Sequence, residues 1–115
     1  MHEMSLAGSI VEIVERAAER ERFRRVTRLS LEVGTLAGVE VAALRFALEA
    51  IAPGTCLQGA TIDIAEPPGR ATCVDCGYST PLEHRGDLCG RCGGARLVPT
   101  AGTELRVVEM MVADD

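Results

Sequence analysis

The sequence predicts an α+β fold, a small three-stranded sheet with two helices, interrupted by a separate cysteine-bearing module between the second and third strands. Three observations carry this. Two stretches repeat apolar residues at helical spacing, and three more alternate or run apolar as strands do. A segment rich in Cys, Gly and Pro then separates the last two strands. A chain of 115 residues suits one compact domain carrying a small appendage.

In chain order, Ser5 opens a helical pattern with Leu6, Ile10, Ile13, Val14, Ala17 and Ala18 on one face. Glu12, Glu15, Arg16, Glu19 and Arg20 take the other face, and the helix is expected to run to about Arg22. Leu29, Leu31 and Val33 alternate with Arg28, Ser30 and Glu32, the pattern of a strand with one wet face. Gly34 and Gly38 punctuate a turn. Val41, Leu44, Leu48 and Ile51 define the second helix, closed by Pro53-Gly54. Ile62 and Ile64 mark a second strand, stopped by Pro67-Pro68, and alternation resumes in Leu105, Val107, Glu109 and Met111. Residues 69–101 are thus read as the inserted module, leaving 1–68 and 102–115 as the α+β domain.

Composition narrows the function. The chain is 47% hydrophobic and 25% charged, too apolar for disorder. Its net charge of −5 and its three aromatic residues offer neither a basic footprint nor a stacking platform, which argues against nucleic acid. All twelve basic residues are Arg, which excludes lysine Schiff-base chemistry and a Walker lysine. No stretch reaches the roughly 18 apolar residues of a membrane span. The opening segment lacks a basic stretch, and Glu12 and Glu15 interrupt its apolar run, unlike a signal peptide. A cytoplasmic location is expected, where five cysteines serve as metal ligands or redox groups rather than disulfides.

Cys73 and Cys76 form one CxxC, Cys89 and Cys92 a second, twelve residues apart. Two knuckles offering four thiolates from two sides suit a tetrahedral ion with metal–sulfur distances of about 2.3 Å. Gly77 and Gly93-Gly94 follow the second cysteine of each pair, where tolerance of positive φ lets backbone N–H groups turn toward sulfur. Arg70, Arg85, Arg91 and Arg96 are expected to offset the thiolate charge, since 67–102 is net +1 while the flanking segments are each −3. Structural Zn(II) is the reading favoured. A rubredoxin-like iron site has the same ligands but lacks aromatic shielding here, and a redox dithiol remains a rival. A closed four-coordinate site leaves no position for substrate, so the zinc-ribbon-like module is read as non-catalytic. Cys56 reads as a small buried apolar residue and His84 as a surface histidine.

The chain opens Met1-His2-Glu3. A large residue at position 2 generally blocks removal of the initiator methionine, so Met1 is expected to keep a free α-amine. That amine, the His2 imidazole and the intervening amide nitrogen can chelate one ion. Such a planar nitrogen set suits Ni(II) or Cu(II). Glu3 can add a further amide or a carboxylate. By itself this signal is weak, because histidine at position 2 is common and chain ends are commonly frayed and solvated.

The Met-His-Glu opening, the first helix MSLAGSIVEIV, the strand LSLEVG followed by a helix with FAL, the paired CxxC motifs and the closing EMMV strand together resemble the HypA/HybF family of hydrogenase-maturation nickel metallochaperones. The resemblance spans essentially the whole chain. It implies a nickel carrier and not an enzyme, with Met1, His2 and Glu3 holding transient Ni(II) and Cys73, Cys76, Cys89 and Cys92 holding structural Zn(II). It also implies two partners, a HypB-like nickel-handling GTPase and the large subunit of [NiFe]-hydrogenase, with urease maturation in some organisms. Some relatives carry further histidines near the knuckles, and only His84 stands there in this chain. A zinc-ribbon interaction module without nickel function and a thiol oxidoreductase are the competing classes. Oligomeric state stays open, a homodimer included.

Overall fold

The protein is described by a computed structural model covering residues 2–114. Helix α1 (His2–Glu21) leads into β1 (Arg25–Val33), followed by α2 (Val41–Ile51) and β2 (Thr61–Ala65). The cysteine segment contributes β3 (Arg70–Cys73), β4 (Ser79–Pro81) and β5 (Leu97–Ala101), and β6 (Leu105–Ala113) closes the chain. The strands form two three-stranded sheets, ordered β2-β1-β6 and β4-β3-β5. The first is the sheet expected from the alternating patterns, and the inserted module falls between its second and third strands. No described helix is long and apolar enough to cross a membrane.

The backbone divides into two compact units. One contains α1, β1 as far as Leu31, Val39–Ile64 with α2 and most of β2, and the end of β6 from Val107. Its core comes from Ala7, Ile10, Val14 and Ala17 of α1, Val26, Leu29 and Leu31 of β1, and Leu44, Ala47 and Leu48 of α2. Ile13, expected on the buried face, is 54% exposed. At 100° per residue it lies about 80° from the centre of the stripe Ala7–Ile10–Val14–Ala17, beyond the buried arc. Helix α1 also starts three residues before Ser5, so His2 and Glu3 belong to its first turn. It ends in a Schellman arrangement: Arg22 takes φ 60°, and the Phe23 N–H donates to the Ala18 carbonyl at 3.2 Å. Buried Phe23 then turns the chain into β1.

β6 runs antiparallel to β1, its Ala113 carbonyl accepting from the Arg24 N–H at 3.2 Å and its Met111 carbonyl from the Thr27 hydroxyl at 3.1 Å. The expected alternation along β6 does not become burial, because Leu105, Val108, Met111 and Val112 are all exposed. An edge strand has a neighbour on one side only, which leaves its side chains less covered than those of central β1.

The second unit comprises Glu32–Gly38 and Ala65–Arg106. β3 is its central strand, pairing antiparallel with β4 (Ala71 opposite Thr80) and with β5 (Ala71 opposite Pro99). Leu36, Ala71 and Leu82 form its small core, with Leu97 packed against them. Sequence patterning reads this stretch as loop. Its strands are three to five residues long, and Pro81 and Pro99 sit inside two of them, on positions flanking the central strand.

Candidate metal centres

The first knuckle grows from the end of β3. The Gly77 N–H donates to the Cys73 carbonyl at 2.8 Å, and the Cys73 N–H to the Tyr78 carbonyl at 2.9 Å. The second repeats the pattern, with the Gly93 N–H on the Cys89 carbonyl at 2.9 Å and the Cys89 N–H on the Gly94 carbonyl at 2.8 Å. Gly77 and Gly93 take φ 76° and 74°, a conformation that side chains with a Cβ resist. The sequence similarity of the two CxxC motifs is thus a similarity of backbone turns.

These turns bring the sulfurs of Cys73, Cys76, Cys89 and Cys92 within 4.8 Å of one another. The closest pairs run between knuckles, Cys73 to Cys92 at 3.6 Å and Cys76 to Cys89 at 3.7 Å. A tetrahedron with about 2.3 Å bonds has edges of about 3.8 Å, so the donor set fits a zinc-sized ion, and a disulfide needs about 2.05 Å. Cys73 and Cys89 are buried while Cys76 and Cys92 face outward. Backbone amides aim at the sulfurs: Arg91 and Cys92 N–H at Cys89, 3.4 and 3.5 Å, and Gly94 N–H at Cys92, 3.3 Å. The Cys92 and Arg91 amides lower the Cys89 thiol to about 6. Cys92 is pushed up to about 12: the Gly94 amide favours its thiolate, but hydrogen bonding with Cys73 and burial outweigh that.

The four arginines expected to offset the thiolates have other engagements. Arg96 pairs with Asp75, which keeps it charged, with a smaller contribution from Cys73. Arg85 donates to the Leu36 carbonyl, Arg70 to the Ser79 hydroxyl, and Arg91 lies 5.5 Å from the Tyr78 ring centre. Charge compensation at the sulfurs therefore comes first from amide dipoles, which sequence composition does not display. Exposed His84 sits 3.8 Å from Asp87, as a surface histidine would.

In the other unit, His2 and Glu3 occupy the first turn of α1, and Met1 lies outside the described residues. The His2 side chain is 61% exposed, with Nδ1 3.9 Å from the Glu3 carboxylate. Glu3 accepts the Glu40 N–H at 3.1 Å. Glu40 in turn caps α2, its own carboxylate accepting the Ala42 N–H at 3.2 Å. That Glu40 amide, followed by Glu3's own, holds the Glu3 carboxyl below its ordinary value. Glu3 therefore fastens the start of α1 to the entry of α2, a contact 37 residues apart in sequence and unreadable from it. Cys56 stands apart from the knuckles. It is half-buried, its N–H donates to Glu15 at 2.8 Å, and burial followed by Glu15 pushes its thiol up to about 11.

Comparison with known proteins agrees with this layout. Residues 1–112 match the family described as hydrogenase/urease nickel incorporation, metallochaperone, HypA. A hydrogenase maturation factor HypA of Cupriavidus necator is 63% identical over 114 residues, 99% of this chain and 96% of that protein. One of Polaromonas naphthalenivorans is 60% identical over the full length of both chains. The solution structure of the Ni metallochaperone HypA from Helicobacter pylori superposes with a TM-score of 0.69 at 18% identity, covering 98% of each chain. A second solution structure of a HypA protein gives 0.72 at 20% identity, covering 100% of this chain and 98% of the other. Fold, paired knuckles and whole-length similarity converge, and the chain belongs to the HypA family of hydrogenase/urease nickel-incorporation metallochaperones.

Proposed function

We propose that this protein carries Ni(II) to an immature [NiFe]-hydrogenase, or to urease where the cell makes one. In this reading the Met1 amine, the His2 imidazole and the intervening amide nitrogen bind the cargo, and Glu3 supports them. Cys73, Cys76, Cys89 and Cys92 hold a structural Zn(II); residues 69–101 act as a zinc module, and residues 1–68 and 102–115 as an α+β nickel domain. A HypB-like GTPase and the hydrogenase large subunit are the partners this implies, in the cytoplasm.

The observation that carries the reading is His2, exposed at the first turn of a helix whose family match begins at residue 1. A carrier must surrender its ion, and ligands at an open helix start can be approached by an acceptor. Amine and imidazole nitrogens protonate around neutrality in free peptides, which makes binding proton-competitive. Glu3 contributes by fixing the helix start against Glu40, so that the neighbouring His2 is presented from a set position. The thiol-exchange alternative loses ground because the shortest sulfur pairs run between knuckles and not within one CxxC.

Calorimetric nickel titration of the native-terminus protein against one with a short N-terminal extension tests this. The extension converts the amine to a non-basic amide without changing a side chain. It should abolish tight nickel binding, as should His2→Ala, with zinc content unchanged in both. Equal nickel affinity in the native and extended proteins would refute the amine chelate.

A further inference from the structure

The outward side of α2 is unlike that of an ordinary surface helix. Its exposed residues are Ala42, Ala43, Phe46, Glu49 and Ala50, so four of the five are apolar. Phe46, 63% exposed, is the most exposed large hydrophobic residue among those described. Beside it lies a cavity of about 230 Å³ lined by Glu3, Met4, Ala43, Phe46 and Ala47. Met4, from the first turn of α1, is itself 47% exposed. The alanines permit close approach of another backbone, and the groove offers a socket next to a protruding ring.

The charges bordering this face have one sign. At 100° per residue Glu49 lies about 60° to one side of Phe46, and exposed Glu40 lies on the other flank, toward Glu3. The one base on α2, Arg45, is turned away and donates to the Ile62 carbonyl at 2.6 Å. The α1 arginines 16 and 20 are paired with Glu12 and Glu21. An apolar stripe between carboxylates calls for an apolar stripe between cations. A second copy of this chain fits poorly. The chain carries −5, and a two-fold contact through this face would set its carboxylates against one another.

We propose that the Phe46 face of α2, with the groove it forms against Met4, docks an amphipathic helix of the nickel-transfer partner whose apolar stripe is bordered by Lys or Arg. This identification of the occupant rests on the nickel function proposed above. Because Glu3 lines the groove, a helix seated there lies beside the terminal nickel ligands. Docking and transfer would then share one surface.

Two synthetic helical peptides with the same leucine stripe, one bordered by Lys and Arg and the other by Glu, provide the probe. Each is titrated into the ¹⁵N-labelled, zinc-loaded full chain with its native terminus. The basic peptide should give saturable amide shifts at Met4, Ala43, Phe46 and Ala47, and the acidic one should not. Phe46→Glu should weaken binding at least about tenfold, and Glu49→Arg should weaken it and flatten its salt dependence. Both positions are exposed, and unchanged helical circular dichroism and zinc content verify folding. No saturable shift, equal binding of the two peptides, or shifts confined to another surface would overturn the proposal. So would a native dimer that Phe46→Glu converts to monomer, which would assign the face to self-association. Nickel titration of the same samples separates the two ideas. Peptide binding lost with nickel binding intact condemns the docking face alone, whereas nickel binding absent from the native protein condemns the carrier reading.

Discussion

Removing the ion from the four-cysteine centre should unfold the second unit and spare the first. The hydrophobic cluster in the second unit consists of Leu36, Ala71 and Leu82, with Leu97 half-buried. At about 1.5–3 kcal/mol for each fully buried leucine, and less for the alanine and the half-buried side chain, the cluster supplies roughly 5–8 kcal/mol. Binding of a structural zinc ion supplies about 10–16 kcal/mol in small zinc domains, so zinc held by these four sulfurs would outweigh the cluster. The first unit draws its core from two helices and from strands β1 and β2, and contains no knuckle cysteine.

Two substitutions separate a ligand from a packing residue. Cys73 is only 1% exposed, so Cys73→Ala disturbs packing as well as coordination. Cys76 is exposed, and Cys76→Ala touches little besides the sulfur. Both should lower zinc well below stoichiometric content. The protein's one tyrosine, Tyr78, follows the first knuckle and reports on the second unit by its fluorescence, and the two helices report on the first by circular dichroism. Tyr78 and the amides of Ala65–Arg106 should lose their native signals after chelation while the helical signal persists. Full zinc content in Cys76→Ala, or a second unit that stays protected from exchange after chelation, would refute the ligand assignment and the energetic reasoning together.

Three further outcomes follow from the first unit. A carboxyl held below its ordinary value lends stability that is whole above its unfolded value and is lost as pH falls through the folded one. The Glu40 amide should therefore be protected relative to its intrinsic exchange rate at neutral pH and lose that protection only in acid below the usual carboxylate range, and in Glu3→Gln its protection should already fall at neutral pH; an unprotected amide in the native protein at neutrality would remove the latch. With its thiol near 11, Cys56 should react sluggishly with a disulfide reagent at neutral pH in zinc-loaded protein, and Glu15→Gln should quicken it; a fast-reacting thiol at neutrality would contradict this. Arg22 sits at φ 60°, where a Cβ costs roughly 1–2 kcal/mol, so Arg22→Gly should raise the melting temperature by several degrees; a lower one would mean that the side chain matters more than the backbone strain.

How legible these features are in the sequence depends on how local their causes are. The helix of Val41–Ile51 is read correctly because apolar spacing and the Pro53-Gly54 stop lie within a single segment. The same holds for β1, whose alternation of Leu29, Leu31 and Val33 becomes alternating burial. Ile13 fails because a broad apolar face on α1 does not say where the buried arc ends, and only the opposing surface decides that. β3, β4 and β5 are invisible to patterning because their cohesion comes from the knuckles and a four-residue cluster, with too few residues in each strand to form a period.

The two candidate metal sites divide along the same line. A CxxC knuckle is a local object: its two sulfurs, its glycine and its amide donors come from about six consecutive residues, so spacing alone announces it. What spacing omits is the pairing between knuckles, Cys73 with Cys92 and Cys76 with Cys89, and the fact that amides rather than arginines face the sulfurs. The terminal site has only three consecutive residues to announce it, and the interaction that organises it reaches from Glu3 to Glu40. Sequence can propose such a site, through the chemistry of an amine next to an imidazole, but it cannot show what holds the helix start in place. The Glu3–Glu40 contact supplies that cause. It also ties the presentation of His2 to the position of α2, the helix whose outer face is largely apolar. On the docking proposed above, a helix seated on α2 would press on the element that anchors Glu3, so its arrival would be felt at exposed His2 without direct contact.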